Sequence, residues 1–200
     1  RGAFPEYDYM VIGEADLVVG PLVEQLARGE RPGNVPGCLS VYDNPKKPFL
    51  PGAKPHDLDA LGGVMLELFE NFNEVYQSWE GYKATATPLT RGCVWSRCTF
   101  CAERFEFRSR TPKNYVDEME WVMATGRPGN FSASDSDFGG RPEVLRELCE
   151  EIIRRGIQIN FGGQIRLSKS YDREFFALMK RAGFCWLNFG ADAFTENTIR

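Results

Sequence analysis

The sequence predicts an α/β chain whose second half is a parallel sheet of repeated βα units, preceded by the closing elements of a separate α/β unit. Three observations predict it. From residue 85 onward, short β-branched or apolar runs at 85–90, 130–133, 157–161 and 185–189 alternate with helical patterns at 111–123, 142–155 and 172–182. That alternation is the signature of parallel strands joined by right-handed crossovers. Second, residues 31–55 carry Pro32, Pro36, Pro45, Pro48, Pro51 and Pro55, a composition that separates two folded regions. Third, a strand-like run at 7–12 feeds a helix, which is half of a βα unit whose partner strands are expected upstream.

The elements follow in order. The first helix is expected to enter at Gly20 with Pro21 at its first position, to carry Leu22, Val23 and Leu26 on one side and to close at Gly29. In the linker, residues 38–42 form a strand-like piece and Asp43-Asn44-Pro45 a turn. Between 65 and 79, Met65, Leu66, Phe69, Phe72, Val75, Tyr76 and Trp79 recur at three and four, an amphipathic helix whose aromatic stripe reads as packing. Later helices open at Thr111-Pro112, Pro142 and Asp172, and Gly183 closes the last. Four strands amount to half of a (β/α)8 barrel and leave the last one with an unpaired edge. A chain that begins at Arg1 and ends at Arg200 inside a new helical pattern reads as a piece of something longer.

Bulk properties exclude several functions. A net charge of −4 gives no general attraction to nucleic acid or acidic membranes. No apolar run approaches a bilayer-spanning length, and a soluble, cytoplasmic protein is expected. Cys38, Cys149 and Cys185 are scattered and do not read as a disulfide framework, and Cys149 and Cys185 read as buried free thiols. His56, the single histidine, stands in the proline-rich linker and reads as a surface residue. The basic residues Arg104, Arg108, Arg110 and Lys113, interleaved with Phe105 and Phe107, read as a solvated loop and helix start, with no clear nucleic-acid binding.

The chemistry concentrates in residues 91–101, RGCVWSRCTFC. Cys93, Cys98 and Cys101 place three thiols on one loop, at the end of the first strand of the repeated units. A structural zinc site closes with four ligands, whereas an iron-sulfur cluster held by three cysteines keeps one iron open for a reacting ligand. The later strand ends are polar too. The second ends in Ser134-Asp135-Ser136-Asp137, the third runs through Gly162-Gly163 to Arg166, and the fourth ends in Gly190-Ala191-Asp192. Ligands of parallel βα folds gather at these ends, although acids there also serve as helix caps and turn formers.

RGCVWSRCTFC resembles the cluster loop of radical S-adenosylmethionine (SAM) enzymes, whose usual pattern is C-x3-C-x2-C with an aromatic residue before the last cysteine. Phe100 fills the aromatic place; the spacing here is C-x4-C-x2-C, one residue longer between the first two cysteines. The stretch YDYMVIGEAD, with Glu14, and the joining segment KPHDLDALGG resemble the branch of this family that carries a cobalamin-binding domain ahead of its barrel. The resemblance implies a partition into residues 1–30 as the end of a Rossmann-like cobalamin-binding domain, 31–80 as linker with connecting helix, and 81–200 as the first half of a radical SAM partial TIM barrel. It also implies a [4Fe-4S] cluster on Cys93, Cys98 and Cys101, with no catalytic residue beyond these ligands. For SAM it implies contacts from Phe100, from Asp135 to the amino group with Asp137 as its near neighbour, from Arg166 to the carboxylate and from Asp192 to the ribose; Glu14 would lie on the cobalamin side. The implied reaction is reductive cleavage of SAM to a 5′-deoxyadenosyl radical and cobalamin-dependent C-methylation of an unidentified organic substrate, with electrons from a flavodoxin- or ferredoxin-type reductant. A cyclase or rearrangement enzyme of the same branch is the alternative, and a non-catalytic zinc or iron-sulfur module the alternative from another class.

Overall fold

The computed structural model describes residues 6–63, 65, 84–103 and 105–190, and the chain divides into two compact units, Arg1–Asp57 and Leu58–Arg200. The predicted helix at 65–79 lies outside the described residues, apart from Met65.

In the N-terminal unit, strand β1 (Tyr9–Val11) leads into helix α1 (Asp16–Ala27), and β2 (Cys38–Ser40) returns to pair with β1 antiparallel, Met10 opposite Leu39. This partner within the chain is not expected from the sequence. Val18 and Leu22 of α1 pack with buried Cys38 to make the small core of the unit. Helix α1 also begins four residues before the predicted entry at Gly20 and carries Pro21 in its interior. Pro21 is exposed, so the Leu17 carbonyl that its ring deprives of a donor can turn to water, while burial of Val18 draws the earlier turn into the helix. The turn at Asp43 is held by its own carboxylate, which accepts from the backbone of Asn34 at 2.7 Å and of Ser40 at 2.8 Å.

In the second unit four strands form a parallel sheet in the order β3-β6-β7-β8: β3 (Thr85–Thr87), β6 (Asn130–Ala133), β7 (Asn160–Ile165) and β8 (Phe184–Phe189). Helices α2 (Pro112–Ala124), α3 (Pro142–Arg155) and α4 (Arg173–Arg181) connect or flank them. Their starts are local in origin. Thr111 caps α2 by accepting from Asn114 N–H, Pro142 opens α3, and Asp172 caps α4 by accepting from Phe175 N–H at 2.8 Å. Gly156, at φ +67°, ends α3 in the left-handed conformation that glycine adopts without strain. The core lies between sheet and helices: Phe131, Phe161 and Phe184 from the strands meet Tyr115, Met119, Leu148, Ile152 and Met179 from the helices.

Two strands of the parallel sheet depart from their predicted bounds by more than one residue. The run at 85–90 splits at Pro88, which cannot donate to a ladder; beyond it β4 (Thr90–Arg91) leaves the parallel sheet and pairs antiparallel with β5 (Arg108–Ser109). Strand β7 begins at Asn160, not at Ile157, and runs through Gly162 and Gly163. A Cβ on Gly162 would lie 2.3 Å from the Trp186 ring, and one on Gly163 2.7 Å from the Ala133 Cβ, so both glycines are there to let neighbouring strands close in. Cys185 is a further correction: its side chain is exposed on β8, whereas Cys149 is buried in α3, where burial pushes its thiol up to about 12. Among the described residues no helix is long and apolar enough to cross a membrane.

Candidate functional site at the strand ends

The β4–β5 ladder pins both ends of the cysteine loop, with Arg91 opposite Arg108. Gly92 enters that loop at φ +81°, where a Cβ would meet the carbonyl oxygens of Phe105 and Glu106 at 2.6 and 2.5 Å; only glycine lets the two limbs lie so close. Within the loop Cys101 N–H donates to the Cys98 carbonyl at 3.3 Å, closing the C-x-x-C segment into a turn. Cys93, Cys98 and Cys101 are all partly buried and none is in a disulfide. Phe100, between the last two, is 73 % exposed.

The loop after β6 meets this one. Asp137 is buried, and its Oδ2 lies 3.5 Å from the Cys93 Sγ and 3.2 Å from Nε of Arg166, the residue that follows β7. Its other oxygen, Oδ1, is buried with no hydrogen-bond partner. A buried carboxylate oxygen without a donor costs free energy unless water, a cation or a ligand supplies one. Arg166 remains 44 % exposed at its side chain and reaches from the site toward solvent. The structure thus brings together Cys93, Asp137 and Arg166, from three different strand ends.

Asp135 has a different set of contacts. It accepts hydrogen bonds from Leu89 N–H at 3.3 Å, from Thr90 N–H, and from Thr90 Oγ1 at 2.5 Å, so the donors of the chain where it passes from β3 to β4 occupy both oxygens. Burial nevertheless pushes its carboxyl up to about 6, against the opposing effect of those bonds. Glu14 lies in the N-terminal unit, partly buried between β1 and α1. Asp192 and Arg104 lie outside the described residues. Of the remaining basic residues, Arg110 is not solvated as expected: it forms a buried ion pair with Glu118 of α2 and lies over the Tyr115 ring at 5.3 Å.

Sequence reasoning missed the links between the two loops. Ser136 Oγ donates to Glu103 Oε2 at 2.7 Å, Ser96 Oγ donates to the Glu103 carbonyl at 3.2 Å, and the Phe107 ring packs against Gly140 with the Arg141 guanidinium 5.4 Å from its centroid. The Gly139-Gly140 pair was the available signal, since adjacent glycines after a strand mark a close approach.

Three thiols not engaged in disulfides, on a loop clamped at its base, form a donor set suited to a soft metal centre, and the partnerless Oδ1 of Asp137, whose Oδ2 lies beside Cys93, suits a cationic group. As arranged here, no three His, Cys, Asp or Glu side chains among the described residues are gathered closely enough to hold a metal ion, so binding a cluster would require the three thiols to be drawn together.

No family model matches the chain. Among characterised proteins, it is 26 % identical over 202 residues to the anaerobic magnesium-protoporphyrin IX monomethyl ester cyclase of Synechocystis, covering 98 % of this chain and 39 % of that protein. It is 30 % identical over 207 residues to the cyclase of the same name from Rubrivivax gelatinosus, covering 94 % and 35 %. The chain therefore spans less than two fifths of the length of these relatives. Among solved structures, the cobalamin-dependent SAM radical enzyme OxsB, with aqua-cobalamin and SAM bound, superposes with a TM-score of 0.79 at 16 % identity, over 98 % of this chain and 30 % of that one. The radical SAM methyltransferase TsrM from Kitasatospora setae, with cobalamin and a [4Fe-4S] cluster, gives 0.63 at 18 %, over 95 % and 39 %. The structural likenesses establish the fold, an α/β partial barrel of parallel strands that OxsB and TsrM share. In sequence this chain is similar to the anaerobic cyclases, and in fold to the cobalamin-dependent radical SAM enzymes.

Proposed function

We propose that this chain carries the cluster-binding and SAM-binding part of a cobalamin-associated radical SAM enzyme. The observation that carries the reading is the meeting of Cys93, Asp137 and Arg166 at adjoining strand ends, with a buried Asp137 oxygen left without a donor. Cys93, Cys98 and Cys101 would hold a [4Fe-4S] cluster with one iron open, and SAM would sit beside it. A cluster and SAM bound there supply one electron and a carbon radical able to remove a hydrogen atom from an unactivated carbon, chemistry that no side-chain acid or base provides. The protein's share is orientation. Asp137, with its free oxygen, is the carboxylate suited to the SAM amino group; Asp135, whose oxygens are engaged by Leu89 and Thr90, holds the strand end in place. Arg166 offers its guanidinium to the SAM carboxylate, and exposed Phe100 offers a ring for a ligand to cover. Cobalamin would be bound with the help of the N-terminal unit, and a small one-electron carrier would serve as reductant.

Between ring closure on an organic substrate and C-methylation, ring closure has more support. The relatives matched over nearly the whole chain are cyclases, at 26 % and 30 % identity, whereas the methyltransferase TsrM is similar at 18 %. Anaerobic reconstitution of the full-length protein tests the reading. Iron and sulfide in the ratio of a [4Fe-4S] cluster are expected for the native protein and their loss for Cys98→Ala. With SAM labelled in its methyl group, ring formation leaves the label in methionine; label in a product would overturn the cyclase reading in favour of methylation.

A further inference from the structure

Glu103 is tied down at three points. Its N–H donates to the Cys101 Sγ at 3.4 Å, its carbonyl accepts from Ser96 Oγ at 3.2 Å, and its carboxylate accepts from Ser136 Oγ at 2.7 Å. These contacts join three places that matter. Ser96 lies between Cys93 and Cys98 and holds φ +45°, a conformation that serine adopts at a cost and that an anchored side chain helps to maintain. Ser136 lies between Asp135 and Asp137, on the loop that faces Cys93. One residue therefore ties the middle of the cysteine loop, its last sulfur and the carboxylate-bearing loop after β6.

We infer that Glu103 is a positioning residue for Cys101, and that its link to Ser136 holds the Glu103 N–H on the sulfur and so helps to set the reduction potential of a cluster bound there. The inference rests on the reading of Cys101 as a cluster ligand and on the Glu103 N–H keeping its place on the sulfur as the three thiols gather. A hydrogen bond to a ligating sulfur withdraws electron density and favours the reduced, more negative cluster; hydrogen bonds to sulfur are among the features that spread cluster potentials widely. Without Ser136 the Glu103 side chain loses its hold on the neighbouring loop, and the N–H can swing off the sulfur.

The test is an EPR-monitored redox titration of the reconstituted full-length protein, in its native form and as Ser136→Ala and Ser136→Thr. Ser136 is exposed, so neither change threatens the fold, and neither alters the charge near the cluster. Ser136→Ala is expected to lower the ratio of reduced to oxidised cluster at a fixed potential by about threefold, equivalent to about 28 mV for a one-electron couple. Ser136→Thr, which keeps the hydroxyl, should titrate with the native protein. If Ser136→Ala holds a SAM-responsive cluster with the native potential, or changes only the amount of cluster retained, the inference is overturned while the proposed function stands. If the native protein takes up no cluster, both fall together.

Discussion

Asp135 and Asp137 are two residues apart, both buried, and differ in what faces their oxygens. Asp135 is closed by donors from Leu89 and Thr90; Asp137 keeps one oxygen free and shares the other between Arg166 and Cys93. The two should therefore fail differently. Asp135→Ala leaves buried backbone N–H groups without acceptors and is expected to cost about 2–3 kcal/mol of folding stability, read from denaturant unfolding. Asp137→Asn keeps the volume and removes the charge. It is expected to leave stability within about 1 kcal/mol and to weaken SAM binding at least tenfold, about 1.4 kcal/mol, by calorimetry on the reconstituted protein. Equal losses of SAM affinity in both variants, at native stability, would remove the distinction between them. The resemblance places Asp135 at the SAM amino group with Asp137 beside it, and the proposed function exchanges the two. That depends on Thr90, which sits 45 positions from Asp135 and meets it only because β4 turns out of the parallel sheet.

Among the elements, helices α2 and α3 are joined by a charged node at Arg155. Its guanidinium donates to Asp117 at 2.7 Å and Glu120 at 2.6 Å on α2, to Glu151 at 2.7 Å on its own helix, and to the Lys113 carbonyl at 3.2 Å. Hydrogen bonds from Arg154 and then Arg155 hold the Glu151 carboxyl down at about 2, and those from Lys113 and then Arg155 lower that of Asp117. A carboxyl depressed in the folded state stabilises above its unfolded value, and that stabilisation is lost as pH falls toward the folded value. The Glu151 arm of the node, within α3, should thus be lost between about pH 4.5 and about pH 2, and the Asp117 arm, which reaches α2, as pH falls below the ordinary carboxylate range. Arg155→Gln is expected to cost about 1–2 kcal/mol at neutral pH. The difference from the native protein should shrink through that acid window in thermal melts, and a pH-independent difference would contradict the assignment. The helices themselves were legible, because their starts at Thr111, Pro142 and Asp172 are written locally in caps and prolines. The strand bounds were less so: β7 extends through Gly162 and Gly163 because of Trp186 and Ala133 on the neighbouring strands, and the exposure of Cys185 likewise depends on strand neighbours.

At the scale of the molecule, four parallel strands deliver the cysteine loop, the Asp137 loop and Arg166 to one end of a sheet, the end at which βα folds place their ligands. The spacing of the cysteines and the alternation of strand and helix made this plan readable in advance. The antiparallel pairing of β1 with β2 was not, since nothing in the proline-rich segment announces that it folds back on β1. The central claim is that the three cysteines hold a cluster whose open iron takes SAM. EPR of the reduced, reconstituted full-length protein with and without SAM tests it most directly. The account predicts a [4Fe-4S]+ signal that shifts when SAM is added and is absent from Cys98→Ala. A signal indifferent to SAM, or a protein that binds zinc in place of a cluster, would contradict it.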